Sequence, residues 1–280
     1  MKREVTSRNY YLGQRAIVVG AGLGGLSTAR VLSDYFDEVM ILDRDELPDD
    51  ATRRPGVPQG KQPRGLLGGG LKALEDLFPG FGNELTRAGA VSIDAGCDML
   101  YEVPGQDVWP RMKISRPTYS MSRPLIERTL RRQVERRGNT KVRSGCRVLN
   151  IVSESNVHAA AGIQCQTVGG RLETLKSDLI VDASGNGSLT LEFLKATGRR
   201  PPEETSVGVN IRYASALFER SHIRNDYKVV FTFPDAPEQG RGGLILPADG
   251  DISRKSLTFL AGCFRLGMQF VVLIQFTVKG

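Results

Sequence analysis

The chain has 280 residues, 40% hydrophobic and 25% charged, with 38 Lys and Arg against 31 Asp and Glu for a net charge of +7. That length supports a real core in one large domain or two modest ones. The basic excess is spread along the chain. Its small clusters, Arg53–Arg54 and Arg131–Arg137, lack the interleaved aromatics of a single-strand nucleic-acid groove, so no nucleic acid is expected as a partner.

The four cysteines (Cys97, Cys146, Cys165 and Cys263) form no CxxC pair, and only His158 and His222 accompany them. This argues against a zinc centre and for reduced, buried thiols in a cytoplasmic protein. The first twenty residues hold charges but no apolar stretch before the first strand, so they are not a secretory signal. The longest apolar run, MQFVVLIQFTV at 268–278, is too short to span a bilayer and reads as a buried strand. No transmembrane segment is expected, although contact with a membrane surface by another route stays open.

The first element is a β-branched strand at Arg15–Gly20, and it runs straight into GAGLGGLSTARVL. Glycines fall at Gly20, Gly22 and Gly25 in the spacing G-x-G-x-x-G. The first suits a tight strand-to-helix turn, the second a close backbone approach to a pyrophosphate, and the third close helix–strand packing. The free N–H groups and positive dipole end of the following helix suit phosphate. A second strand, EVMILDRD, ends at Asp43, whose carboxylate is placed to accept from adenosine ribose hydroxyls.

The strand–helix alternation of a simple dehydrogenase then breaks. Residues 50–70 are Pro- and Gly-rich loop, and a helix pattern follows at Leu71–Leu77, before Pro79 and Gly80. A strand pair is expected at DMLYEVP and RMKISRP. Residues 123–137 form an amphipathic helix with Leu125, Ile126, Leu130 and Val134 on one face, arginines on a solvated face, and Ser122 as N-cap. Three strand-like stretches, KVRSGCRVLNIVSE, GIQCQTVGG and RLETLKSDLIVDASG, read as a meander feeding back into the main sheet. The last opens into Gly-rich turn chemistry at SGNGS.

In this order, GAGLGG, Asp43-Arg44, SRPLIERTL and DLIVDASGNGS resemble the flavoprotein monooxygenases of the para-hydroxybenzoate hydroxylase type. The stretches RRPGVPQGKQPRGLLGGGLKALEDLFPGF and VGVNIRYASALFER resemble, more narrowly, the squalene-epoxidase-like flavin epoxidases of polyether biosynthesis. The resemblance runs from about Arg15 to about Pro247. It implies an α/β fold: a Rossmann-like FAD-binding domain, with parallel sheet and β-meander, at 12–95 and 117–200, and a partial antiparallel-sheet substrate domain at 96–116 and 201–280.

It also implies FAD as cofactor and NAD(P)H as co-substrate. Gly20, Ala21, Gly22, Gly24 and Gly25 would cradle the pyrophosphate, Asp43 would hold the ribose, and Arg44 would lie beside the adenosine. Arg123 would reach toward the flavin or its diphosphate, and Val148 would meet the adenine through its backbone. Asp182 and Gly185 look like the family's mid-chain Asp–Gly element, with Ala-Ser inserted between them, which weakens its nicotinamide part. No catalytic side chain or metal is implied. In such enzymes NAD(P)H reduces the flavin, and a C4a-hydroperoxide formed with O₂ oxygenates an olefin or aromatic ring. A small apolar substrate follows, with its pocket beside a sheet built from 96–116 and 206 onward; Met99, Tyr101, Val209 and Ile211 on that sheet read as ordinary core rather than as its lining.

The chain departs from the pattern in two places. After PQG it reads KQPRG where many relatives carry histidines, so Lys61 and Arg64 read as exposed loop charge. Past Leu246 the C-terminal Gly-Asp motif of such enzymes is missing; Gly250-Asp251 lies in an unsuitable context, and the chain looks truncated. A geranylgeranyl-reductase-like flavin reductase and a non-catalytic nucleotide-binding remnant are the alternatives. A flavin halogenase is disfavoured, since Trp109 is the only tryptophan and no WxWxIP motif occurs.

Overall fold

The computed structural model describes residues 11–50, 54–55, 63–114, 117–154, 159–185, 187–206, 211–219, 226–235, 237–249 and 254–262. The apolar run at 268–278, Lys61, Val209, Cys263 and Gly250-Asp251 lie outside them. In chain order the elements are β1 (Gly13–Val19), α1 (Leu23–Leu32), β2 (Phe36–Leu42), β3 (Pro63–Leu66), α2 (Gly68–Leu77), α3 (Phe81–Ala88), β4 (Val91–Asp94), β5 (Met99–Glu102) and β6 (Pro117–Ser122). Then come α4 (Arg123–Glu135), β7 (Thr140–Arg143), β8 (Cys146–Ser153), β9 (Ala160–Thr167), β10 (Leu172–Lys176), β11 (Leu179–Asp182) and α5 (Leu189–Ala196). The last four are β12 (Ile211–Glu219), β13 (Val229–Thr232), β14 (Arg241–Pro247) and β15 (Arg254–Gly262).

The chain divides into two compact units. The first comprises 1–57, 77–79 and 127–204. Its parallel sheet has the order β11-β1-β2-β7. Ala16–Val19 and Val39–Leu42 are buried without alternation, as central parallel strands covered on both faces must be. Ile17 pairs with Met40, and Val19 with both Leu42 and Asp182, so the carboxyl ends of three strands stand side by side. The antiparallel sheet β10-β9-β8 packs on this one through a core of Ile17, Val19, Met40, Leu42, Cys146, Ile163 and Cys165.

The expected meander exists, but its first and last stretches each divide. Gly145, at φ +60°, breaks the first, so that β7 joins the parallel sheet and only β8 enters the meander. The last splits at Ser177-Asp178 into β10 and β11, where the Asp178 carboxylate accepts from the Gln14 and Arg15 N–H groups of β1.

The second unit comprises 58–76, 80–126 and 205–280, and so takes in residues 80–95 as well as 96–116. It holds two sheets, β3-β6-β4 and β12-β15-β14-β13-β5, with Ile93, Val229 and Leu246 at its core and Met99 and Leu244 packed against them. Here three expectations are corrected. The strand expected at RMKISRP is not seen over 111–114, which are irregular, and Pro117 already belongs to β6; β5 pairs instead in parallel with β13, Met99 to Val229. A partner about 130 residues away decides that pairing. Arg64 is half-buried on β3 rather than exposed in a loop. Helix α2 starts at Gly68, three residues before its apolar pattern, despite a cost of about 1 kcal/mol for each interior glycine.

Helix α4 has residues in both units. Leu125, Ile126, Leu130 and Val134 form its buried face, and Ser122 Oγ accepts from the Leu125 N–H at 3.2 Å as an N-cap does. Its arginines do not all face solvent. Arg131 is buried and donates to the Pro48 carbonyl, whereas Arg132 is exposed.

Candidate dinucleotide-binding site

The β1–α1 turn is built by its own backbone. Gly20 has φ +103°, and a Cβ there would stand 2.5 Å from the Ala183 carbonyl oxygen. A Cβ on Gly25 would stand 1.8 Å from the Gly20 carbonyl oxygen. These positions therefore require glycine, one for its conformation and both for want of space. Gly22 heads the helix in extended conformation (φ −80°, ψ −177°) with no side-chain cap, and the first intrahelical bond is Leu26 N–H to Gly22 O at 2.9 Å. The N–H groups of Leu23, Gly24 and Gly25 thus lack intrahelical acceptors. No acid lies in the first turn of α1, and Gly24 is exposed, with no heavy atom within 4 Å of the point a Cβ would occupy.

Two carboxylates flank this turn. Asp43 follows β2 and is 8% exposed. Its Oδ2 accepts from the Ala21 N–H at 2.7 Å and from Arg54 Nη1 at 3.0 Å, and its Oδ1 from the Asp45 N–H at 2.9 Å. With about two acceptor positions per oxygen, Oδ1 keeps one for another donor. Asp182 ends β11. Its Oδ1 accepts from Ser184 N–H (3.1 Å) and Oγ (2.5 Å), and its Oδ2 from Thr190 N–H (3.2 Å) and Oγ1 (2.7 Å). Burial pushes its pKa up, but the bonds from Ser184 and Thr190 outweigh that and hold it below the ordinary value. Gly185 follows at φ +81°.

The structure therefore brings together Gly20, Ala21, Gly22, Gly24, Gly25 and Asp43, with the Asp182–Gly185 turn against Gly20. Arg44 is exposed beside Asp43. Val148 lies on β8 in the meander, half-buried against the core, beside a register shift between Val148 and Asn150. Arg123 opens α4 and belongs to the second unit. In that unit, too, Met99 is half-buried against the core and Tyr101 stacks against Trp109 with ring centroids 5.2 Å apart.

Two groups escaped the sequence reading: Arg54, noted there only as part of a basic cluster, and Glu127. Arg54 Nη2 lies 2.6 Å from Glu127 Oε2, and its side chain is 8% exposed. Burial disfavours its charge, but Glu127 and Asp43 more than offset that and raise its pKa. Cys146 and Cys165 are no rival site: both are buried, and burial together with Cys146 pushes Cys165 up to about 12. Among the described residues no cluster of His, Cys, Asp and Glu could hold a metal ion, and no helix is long and apolar enough to cross a membrane.

The residues fit a dinucleotide diphosphate: an uncapped helix start without acids, open space at Gly24, and a ribose-competent oxygen on Asp43.

No protein-family model matches the chain. It is 32% identical over 217 residues to Protein Rv3254 of Mycobacterium tuberculosis, covering 72% of this chain and 44% of that protein. It is 27% identical over 247 residues to Protein FixC of Salmonella typhimurium, covering 81% of this chain and 50% of that protein. The chain thus spans 44% and 50% of the lengths of these two curated relatives. Among solved structures it is similar to PqsL, a probable FAD-dependent monooxygenase from Pseudomonas aeruginosa, with TM-score 0.64, 15% identity, and coverage of 89% of this chain and 61% of that one. It is similar to the p-nitrophenol 4-monooxygenase PnpA from Pseudomonas putida, with TM-score 0.60, 12% identity and coverage of 89% and 58%. The myxobacterial chondrochloren halogenase CndH, a variant of FAD-dependent halogenases, matches with TM-score 0.60, 17% identity and coverage of 89% and 53%. The chain has the fold of FAD-dependent monooxygenases and halogenases, a parallel sheet joined with antiparallel sheets.

Proposed function

We propose that this chain binds FAD and is the nucleotide-binding part of an NAD(P)H-driven monooxygenase or epoxidase that oxygenates an apolar olefin or aromatic substrate with O₂. One observation carries the reading. The uncapped amino end of α1 stands at the carboxyl ends of β1, β2 and β11, with an acid on each flank whose bonds shape the surrounding turns. Ligands of open α/β sheets bind at such strand ends.

In this reading the N–H groups of Leu23, Gly24 and Gly25 hold the diphosphate, and Asp43 Oδ1 accepts a ribose hydroxyl. Arg44 lies beside the adenosine, Val148 meets the adenine through its backbone, and Arg123 faces the flavin or its diphosphate. Asp182 keeps the turn to α5 closed, so that Ala183 packs against Gly20. When bound, FAD supplies the redox and oxygen-transfer chemistry; the protein binds it, orients it and excludes water. Structural neighbours with named flavin functions support this reading, as does the order of motifs along the chain.

The absorbance spectrum of purified protein, with and without added FAD, tests it. A retained or reconstituted flavin spectrum is expected, and colourless protein that cannot be reconstituted overturns it. Oxygen uptake with NAD(P)H then separates oxygen transfer from a flavin reductase acting on polyprenyl chains.

A further inference from the structure

Arg54 has been given no role toward a ligand, yet it is the cation on which two buried acids converge. Its Nη1 lies 3.0 Å from Asp43 Oδ2 and 3.9 Å from Asp45 Oδ2, and its Nη2 lies 2.6 Å from Glu127 Oε2. Asp43 and Glu127 are 8% and 7% exposed. Through Asp43 Oδ2 the contact continues to the Ala21 N–H of the glycine turn. A connected path therefore runs from α4 through one guanidinium and one carboxylate to the backbone at the start of α1. One turn beyond Glu127, Arg131 donates to the Pro48 carbonyl, and Arg132 donates to the Asp49 carbonyl at 3.2 Å. Helix α4 thus grips the segment following β2 at its middle and, through Glu127, at Arg54.

Building on the FAD reading above, we infer that Arg54 is a positioning residue for the adenosine half of the dinucleotide. It occupies Asp43 Oδ2 and leaves Oδ1 as the acceptor for a ribose hydroxyl, and Glu127 fixes Arg54 from α4. The physical reason is charge. Buried carboxylates without a shared cation repel one another and carry a large desolvation penalty, which a side chain relieves by turning to water. Asp43 turned outward no longer aligns with either the turn or a ribose. Only a planar guanidinium serves two acids on opposite sides with separate nitrogens; a lysine ammonium is a point charge and holds one well.

The test uses the whole chain with Arg54→Met, Arg54→Lys and Glu127→Gln. FAD and FMN dissociation constants are measured by flavin fluorescence, and folding by circular dichroism and thermal melting of the flavin-free protein. FMN lacks the adenosine, so it separates positioning from general loosening. FAD affinity is expected to fall about tenfold or more in Arg54→Met, the scale of one charge-assisted hydrogen bond lost at a binding group. Smaller losses are expected in Arg54→Lys and Glu127→Gln, with FMN affinity unchanged in all three. A merely structural role would lower the melting temperature and leave the FAD-to-FMN ratio alone.

If Arg54→Met does not fold, the two milder variants decide. An unchanged ratio in both overturns the inference while wild-type FAD binding preserves the broader reading. A wild-type chain that binds no FAD overturns both.

Discussion

Gly24 and Gly25 are neighbours in sequence with opposite surroundings. A Cβ on Gly25 would be driven into the Gly20 carbonyl, backbone against backbone, so Gly25→Ala must shift α1 away from β1. A cost of about 1–3 kcal/mol is expected, as for other overpacked positions. At Gly24 a methyl meets no protein atom, and alanine is the better helix former by about 0.8–1 kcal/mol. Gly24→Ala is therefore expected to leave folding unchanged or slightly improved, as urea denaturation will show, while weakening FAD binding by standing where the diphosphate lies. Weakened FAD binding without a stability loss marks Gly24 as a ligand-facing position; unchanged binding places the diphosphate elsewhere. The Gly25 constraint was legible from spacing alone, because both partners of its contact lie within the strand–turn–helix unit; Gly20 was marked by the same spacing and by its turn conformation, although the Ala183 carbonyl it meets follows the distant β11. Arg54 was not: its partners Asp43 and Glu127 lie 11 and 73 residues away. Nothing local distinguishes a buried bridging arginine from the exposed ones around it.

At the scale of elements, legibility followed the source of each strand's order. The second halves of β1 and β2, Ala16–Val19 and Val39–Leu42, are apolar without alternation because the sheet buries both faces, and helix α4 shows its buried stripe in plain spacing. The strand pair expected of DMLYEVP and RMKISRP does not form between 99–102 and 111–114, because β5 finds its partner in the distant β13, to which no local pattern points. The start of α5 has its own anchor in Asp182, whose carboxylate collects four donors from Ser184 and Thr190. Its pKa is lowered from the ordinary 3.8, with burial opposing and those hydrogen bonds prevailing. A depressed folded value means that the ionised form is the one stabilised. The contribution is complete above the unfolded value and is lost as pH falls through the folded one. Asp182→Asn is expected to cost about 1 kcal/mol at neutral pH, a modest figure because the group is partly solvated. It is also expected to reduce the stability that wild type loses below about pH 4, relative to its value at pH 7. Urea midpoints across pH 2.5–7 check both, and parallel acid limbs for the two proteins would remove Asp182 from the account.

At the scale of the molecule, the two units have separate cores, and every residue assigned to the diphosphate, ribose and adenine except Arg123 lies in the first. A ligand that binds only the folded form stabilises by RT ln(1 + [L]/Kd), about 2.7 kcal/mol at a hundredfold excess over Kd. That free energy should appear where the ligand's contacts are. Hydrogen exchange with and without FAD is therefore expected to show slower exchange at 20–32, at 43–45 and, through Glu127, in the part of α4 from Glu127 onward. The exchange of β4, β5, β13 and β14 should change far less, since they pack around Ile93, Val229 and Leu246. A flavin held mainly by the second unit would reverse this pattern. Protection spread evenly over both units would show that they unfold as one cooperative body, and calorimetry would then give a single transition that rises with FAD. Slower exchange confined to the first unit, with the amide of Gly24 among the most protected, ties the cofactor to the amino end of α1.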